Sequence, residues 1–253
     1  MTLKNLKKMS VLVVPAIALV LGIAGGAQAQ LVTNGSFETS TNGAGQMGFN
    51  TDVMGWSTSG YNFLFSSGTA DSHANAPAGQ YGALPLWGPN NGSANGLPAS
   101  SPDGGNFVGA DGAFNAGAIT QTLTGLTAGN TYQVGFWWAG AQQFSFDGLN
   151  SEQWVVGFGS QSQSTSVYAN SNHGFSGWKY QTFDFVADGT SDVLSFLAVG
   201  SPISPSVPPF SLLDGVSVSA VPEPSTLLLS GMSLIGLGVV HVRRRIKSKS
   251  VAV

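Results

Sequence analysis

Between Leu31 and Ala220 short runs of alternating apolar and polar residues follow one another, and a period of two is the signature of half-buried strands. Within Thr131 to Ala139, Tyr132, Val134, Phe136 and Trp138 fall on one face, while Gln133, Gly135 and Trp137 fall on the other. The same alternation places Trp154, Val156 and Phe158 together, then Phe183 and Phe185, Leu194 and Phe196, and finally Leu212, Asp214, Val216 and Val218. Turn pairs such as Asn34-Gly35, Asp103-Gly104, Asp111-Gly112 and Asp188-Gly189 punctuate these runs. No long helical period competes. The pattern predicts eight or more antiparallel strands in one all-β domain, residues 30–220, folded as a β-sandwich. Residues 68–103, rich in Pro, Gly, Asn and Ala, break the alternation and predict long loops.

Both ends depart from this pattern. Lys4, Lys7 and Lys8 precede an apolar core from Val11 to Ile23 and the small residues Ala27 and Ala29, the layout of a secretory signal peptide over residues 1–29. At the other end Pro222, Glu223 and Pro224 open a segment, 222–226, whose prolines fix φ and hold the chain extended. An apolar stretch from Leu227 to Val242 follows, short for a transmembrane helix, which needs about 17–25 residues. Arg243, Arg244 and Arg245 then begin a basic tail, 243–249, that stays cytoplasmic under the positive-inside rule and leaves the domain outside.

With these ends set apart, the charge balance changes. Lys179 is the single cation between Gln30 and Ala220, against eleven acidic residues, so the segment carries a formal charge of −10 where the whole chain carries −3. Nucleic acid is excluded as a partner, because nothing neutralises phosphates. The chain has no cysteine, so an exported domain of this size depends on its own core or on a metal.

The combination of Pro222-Glu223-Pro224, a short span and an arginine cluster resembles the PEP-CTERM sorting signal, with a boundary at 221–249. The resemblance implies export, a membrane-held precursor and cleavage by an exosortase-type protease. A plain single-pass anchor shares the topology without the cleavage. Within the domain, Asn34-Gly35-Ser36-Phe37-Glu38 followed by Gly55-Trp56, the stretch Gly117 to Leu123 leading through Gly125, Leu126 and Gly129 to the Tyr132 strand, and Leu212 to Val218 resemble the galactose-binding-like β-jelly-roll of carbohydrate-binding modules. That resemblance implies a structural Ca²⁺ held partly by acidic residues in the first and last motifs, here Glu38 and Asp214; the alternative is a solvated turn residue at Glu38 and a turn cap at Asp214, and Asp103 and Asp111 are further oxygen donors apart from the resemblance.

Aromatic rings are the other candidate chemistry, since a flat ring stacks on the apolar face of a sugar while amides and carboxylates bond its hydroxyls. Strand parity singles out Trp137, and Trp56, Tyr61, Trp87 and Trp178 stand at strand ends or in loops. The alternative for each is core packing. Catalytic signals are absent: His73 and His173 lie in Asn-rich loops, with neither HExxH nor G-x-S-x-G in the chain. Glu38 and Glu152, the only glutamates between Gln30 and Ala220, form no recognisable acid–base pair in sequence. The expectation is an exported, non-catalytic protein of the cell surface or extracellular matrix that binds a polysaccharide. Its rival is a structural matrix protein without a specific ligand.

Overall fold

The computed structural model describes residues 31–202 and 207–222. The expected signal peptide, and Glu223, Pro224, the span and Arg243 to Arg245 beyond Pro222, lie outside the described residues. Among the described residues no helix is long and apolar enough to cross a membrane.

Two antiparallel sheets face each other. The first has the order β1 (Gly45–Gln46), β3 (Asn62–Phe65), β6 (Phe107–Asp111), β14 (Pro209–Ala220), β8 (Thr131–Gln142), β12 (Lys179–Val186). The second runs β10 (Gln161–Ser164), β9 (Asn150–Phe158), β13 (Ser191–Pro202), β7 (Ile119–Thr124), β2 (Ser57–Thr58), with β11 (Tyr168–Asn170) also paired to β9. A small hairpin, β4 (Ala78–Gly79) with β5 (Gly82–Ala83), and a 3₁₀ turn at Pro89–Asn91 lie in the loop-rich segment.

The main core fills the space between the sheets. Val134, Phe136 and Trp138 of β8 and Leu213, Val216 and Val218 of β14 meet Trp154, Val156 and Phe158 of β9 and Leu194, Phe196 and Ala198 of β13. The rings interlock: Phe136 meets Phe196 edge-on at 5.1 Å and Phe158 stacks on Phe185 at 5.6 Å. Trp154 is fully enclosed and spends its indole N–H on the Leu212 carbonyl, 3.0 Å away across the sandwich. An unpaired donor there would cost about 1–3 kcal/mol.

Two features differ from what the sequence pattern predicts. The alternation through β14 does not hold, because the register shifts between Asp214 and Ser217 where Gly215 takes φ +57. Leu212 therefore joins a separate core on the outer face, while Val216 and Val218 turn inward. A bulge inserts one residue and reverses the parity beyond it. The bulge also ties the chain's first motif to its last, with the Val216 N–H donating to Gly35 O at 2.9 Å. A Cβ at residue 35 would overlap the Val216 carbonyl, so only glycine allows this approach.

The second difference concerns residues 68–103. This segment is not a free loop but a lid over half of the first sheet's outer face. Its Leu84, Leu86 and Leu97, exposed by 6% at most, close a second core with Phe63, Phe65, Phe107, Phe210 and Leu212. Strands beneath it are apolar on both faces, which is why Phe107–Asp111 is buried at every position.

Candidate binding face and carboxylate seam

The half of that outer face left uncovered is where Trp137 lies. Its cross-strand partner is Tyr180 of β12, and the two rings are 5.1 Å apart, tilted by 59°. Trp137 is half-buried and Tyr180 is 53% exposed. Tyr180 reaches across Gly135, where any Cβ would collide with its hydroxyl oxygen. Polar groups continue the face: Thr182 opposite Gly135, Gln133 donating to Asp184 at 3.0 Å, and Ser217 donating to Gly135 O at 3.3 Å. The result is two rings in a field of hydroxyls, amides and one carboxylate.

Beside this platform lies a seam of acids. The turn from Ser101 to Asn106 crosses β14 at its bulge, and Gly215 is so placed that a Cβ would come within 3.0 Å of both Asp103 Cγ and Trp137 Cδ1. Asp214 is fully buried; its Oδ2 accepts from the Ser101 hydroxyl and its Oδ1 accepts from the Gly215 N–H at 2.7 Å. Glu38 folds over Gly105, and its Oε1 accepts the Asn106 N–H at 2.6 Å. Burial first, with added repulsion from Asp103 and Glu38, pushes Asp214 up to about 8 against the two hydrogen bonds that pull it down. Residues from motifs far apart in the chain thus lie along one seam. Among the described residues, however, no three acidic or histidine side chains are gathered closely enough to form a metal centre as they stand.

The remaining candidate rings are placed differently. Trp56 is a core residue, 6% exposed, packed on Phe37 at 5.2 Å with its N–H on Asn34 O at 3.0 Å. Tyr61, also 6% exposed, belongs to the second core. Trp87 is half-buried, stacked on His173 at 3.6 Å and held by its N–H to Phe146 O. His173 in turn contacts Asp147 at 2.5 Å, a local tie within the loops. Trp178 packs edge-on against Phe107 at 5.5 Å, and its buried N–H has no partner among the described residues. Asp111 accepts the Ala113 and Phe114 N–H groups, a turn role; burial raises its pKa, against those two bonds.

Tyr180 joins the face without being among the candidate rings. Tyr180 was available from parity, being on the face opposite Phe183 and Phe185. Glu152 shares the parity of Trp154, Val156 and Phe158 in β9, which already places it on the buried face. It is fully buried in β9, one oxygen accepting weakly from Asn170 at 3.4 Å and the other without a partner among the described residues. Burial pushes it up to about 8, offset in part by Asn170 and by Lys179. Lys179 rests 4.1 Å above the Tyr168 ring, and burial lowers its own pKa. A carboxyl so enclosed is not placed to touch a polysaccharide.

Residues 220–245 match the model of the PEP-CTERM protein-sorting motif. The chain carries a PEP-CTERM sorting signal. The match begins at Ala220, the last residue of β14, so the PEP-CTERM segment starts where the sandwich ends. No curated protein matches the chain. Solved structures similar to it are β-sandwich proteins of low identity. They include TmCBM61 in complex with β-1,4-galactotriose (18% identity, 76% of this chain and 99% of that one, TM-score 0.38). Another is the K2 cleaved adhesin domain of Lys-gingipain (16%, 77% and 99%, TM-score 0.40). A third is the enzymatically active domain of bacteriophage CBA120 tailspike protein 4 (10%, 76% of this chain, TM-score 0.38), of which the match spans 21%. These likenesses are too distant to carry a ligand from one protein to another.

Proposed function

We propose that this is an exported, non-catalytic glycan-binding protein with a β-jelly-roll domain at 30–220, delivered by its PEP-CTERM signal to the cell surface or extracellular matrix. The observation that carries the binding role is the Trp137–Tyr180 pair, two neighbouring rings left uncovered on a sheet face otherwise sealed by residues 68–103. A neutral polysaccharide suits it: rings stack on sugar faces, and Thr182, Gln133, Asp184 and Ser217 supply donors and acceptors. The acidic balance of the domain disfavours a polyanion unless divalent cations bridge it.

The test is a glycan array, supplemented with the host's own exopolysaccharide and probed with the full-length protein and two variants. Trp137→Ala and Tyr180→Ala should each weaken the strongest signal about tenfold or more, as loss of a central aromatic contact does. No binding to any glycan by folded protein would favour a matrix component without a ligand.

A structural Ca²⁺ at the seam belongs to the same proposal. Glu38, Asp103 and Asp214, all hard oxygen donors suited to the ion, would have to draw closer together than they stand to hold it with the Ser101 oxygen. The physical case is the Asp214 carboxyl, its pKa raised first by burial and further by repulsion from Asp103 and Glu38, which a divalent cation would lower again. The ion would fasten Glu38, early in the domain, to Asp214 in its last strand.

Sorting has its own expected result. An exosortase-type protease acting at the Pro222-Glu223-Pro224 motif would release protein lacking the later residues, so intact mass of the surface-associated form should exclude Arg243 to Arg245. Their recovery in most molecules would leave a plain anchor.

A further inference from the structure

A cleft of about 420 Å³ opens beside the edge of the first sheet, where β1, β2 and the start of β3 meet the chain at Gln80 and at Asn115 and Ala116. Its volume lies within the range of about 300–1,000 Å³ usual for small-molecule sites. It is separate from the Trp137–Tyr180 face, neither of whose rings lines it.

Its chemistry is that of a built recess. Gln46 is 6% exposed, and its Oε1 accepts the Gln80 N–H at 2.9 Å. Its side chain is nearly enclosed and lines the cleft. Asn115 is held at φ +44, its carbonyl accepting the Tyr61 N–H at 2.9 Å, and its side chain is exposed at the mouth. Ser59 and Thr58 add hydroxyls to the lining.

Rings complete it. Tyr61 forms one wall, and Phe49, 59% exposed, stands on the rim. Tyr81 and Phe114, 67% and 46% exposed, brace Tyr61 from outside at 5.8 and 5.3 Å. Burial, then the nearby Asp111 and Tyr81, raise the Tyr61 pKa. An exposed ring at the rim with amides and hydroxyls in the lining suits a ligand with an apolar face and a hydroxylated edge. No cation lines the cleft, so nothing there would compensate an anionic group.

We infer that this cleft is a second binding site, taking one neutral pyranose unit that stacks on Phe49 and gives its hydroxyls to Gln46, Ser59 and Asn115. With two sites per domain, a polymer could be held at two points or two chains could be joined.

The test uses full-length protein labelled at the methionine methyl groups. Met47 lines the cleft, and Met54, 57% exposed and absent from its lining, is the internal control. Methyl β-D-galactopyranoside, methyl β-D-glucopyranoside and methyl α-D-mannopyranoside are titrated in turn, with galacturonate as the anionic comparison. At least one neutral sugar should shift Met47 saturably and leave Met54 in place. Phe49→Ala should weaken that response about tenfold. Ala116→Trp should block it, whereas Trp137→Ala should leave it unchanged. Absence of any Met47 response, or a response undiminished in both Phe49→Ala and Ala116→Trp, overturns the site. Equal binding of galacturonate overturns its neutral selectivity.

Discussion

Trp138→Ala is expected to destabilise the domain by about 3–5 kcal/mol, the usual cost of removing a buried large aromatic. Trp137→Ala, one residue away, is expected to cost far less. Trp138 is 4% exposed and sits in the main core, whereas Trp137 is half-buried on the open face beside Tyr180. For a chain of this length the first change corresponds to a melting temperature lower by about 6–20 °C. Thermal unfolding of both variants measures the contrast. Equal losses would mean that Trp137 supports the fold as much as Trp138 does, and the binding face would lose its leading residue.

The second large effect is a stability that falls as pH rises from about 4 to about 8 in the presence of chelator. Asp214 moves from an ordinary 3.8, and Glu152 from 4.5, up to about 8. Between these limits the folded protein retains two protons that the unfolded chain has released. The native state then binds more protons, and each rise in pH favours unfolding. The benefit is complete below about pH 4 and is lost as pH passes about 8, with a slope of at most about 1.4 kcal/mol per pH unit for each group. Asp214→Asn and Glu152→Gln should each flatten the profile. Saturating calcium should remove the Asp214 share while leaving that of Glu152. An ion at 100 times its dissociation constant would also raise stability by about 2.7 kcal/mol. Coincident unfolding curves in calcium and in chelator, from metal-free protein, would remove calcium from the seam.

The sandwich was legible wherever one sheet face is buried and the other wet. Tyr132 to Trp138 and Trp154 to Phe158 state their own parity, and the structure places them accordingly. Legibility failed where a second layer covers the first. Phe210 and Leu212 pack outward against leucines from an irregular segment, and no period in Gly68 to Asp103 signals that they will be met. The bulge at Gly215 was hidden for a related reason, since a glycine announces freedom of φ but not its use. Trp56 and Trp137 are alike in composition, and their surroundings separate them: one is closed in by Phe37 and Phe196, the other has only Tyr180. Glu152 was readable as inward-facing from the parity of Trp154, Val156 and Phe158, whereas the neighbours that enclose its carboxyl, Asn170, Tyr168 and Lys179, come from other strands and were not.

The position of β14 has a bearing on how the protein folds. It is the last of the described strands, yet it lies in the middle of the first sheet, hydrogen-bonded to β6 on one side and to β8 on the other. Until Pro209–Ala220 has emerged, β6 and β8 have nothing between them, and Val108 and Phe136 have no common core. Pairing partners so distant along the chain make for high contact order and slow folding, on the scale of milliseconds to seconds. Vectorial delivery across a membrane would therefore hold the domain in an open, unfinished state almost to the end of transit. Completion would coincide with arrival of the residues that immediately precede the sorting signal.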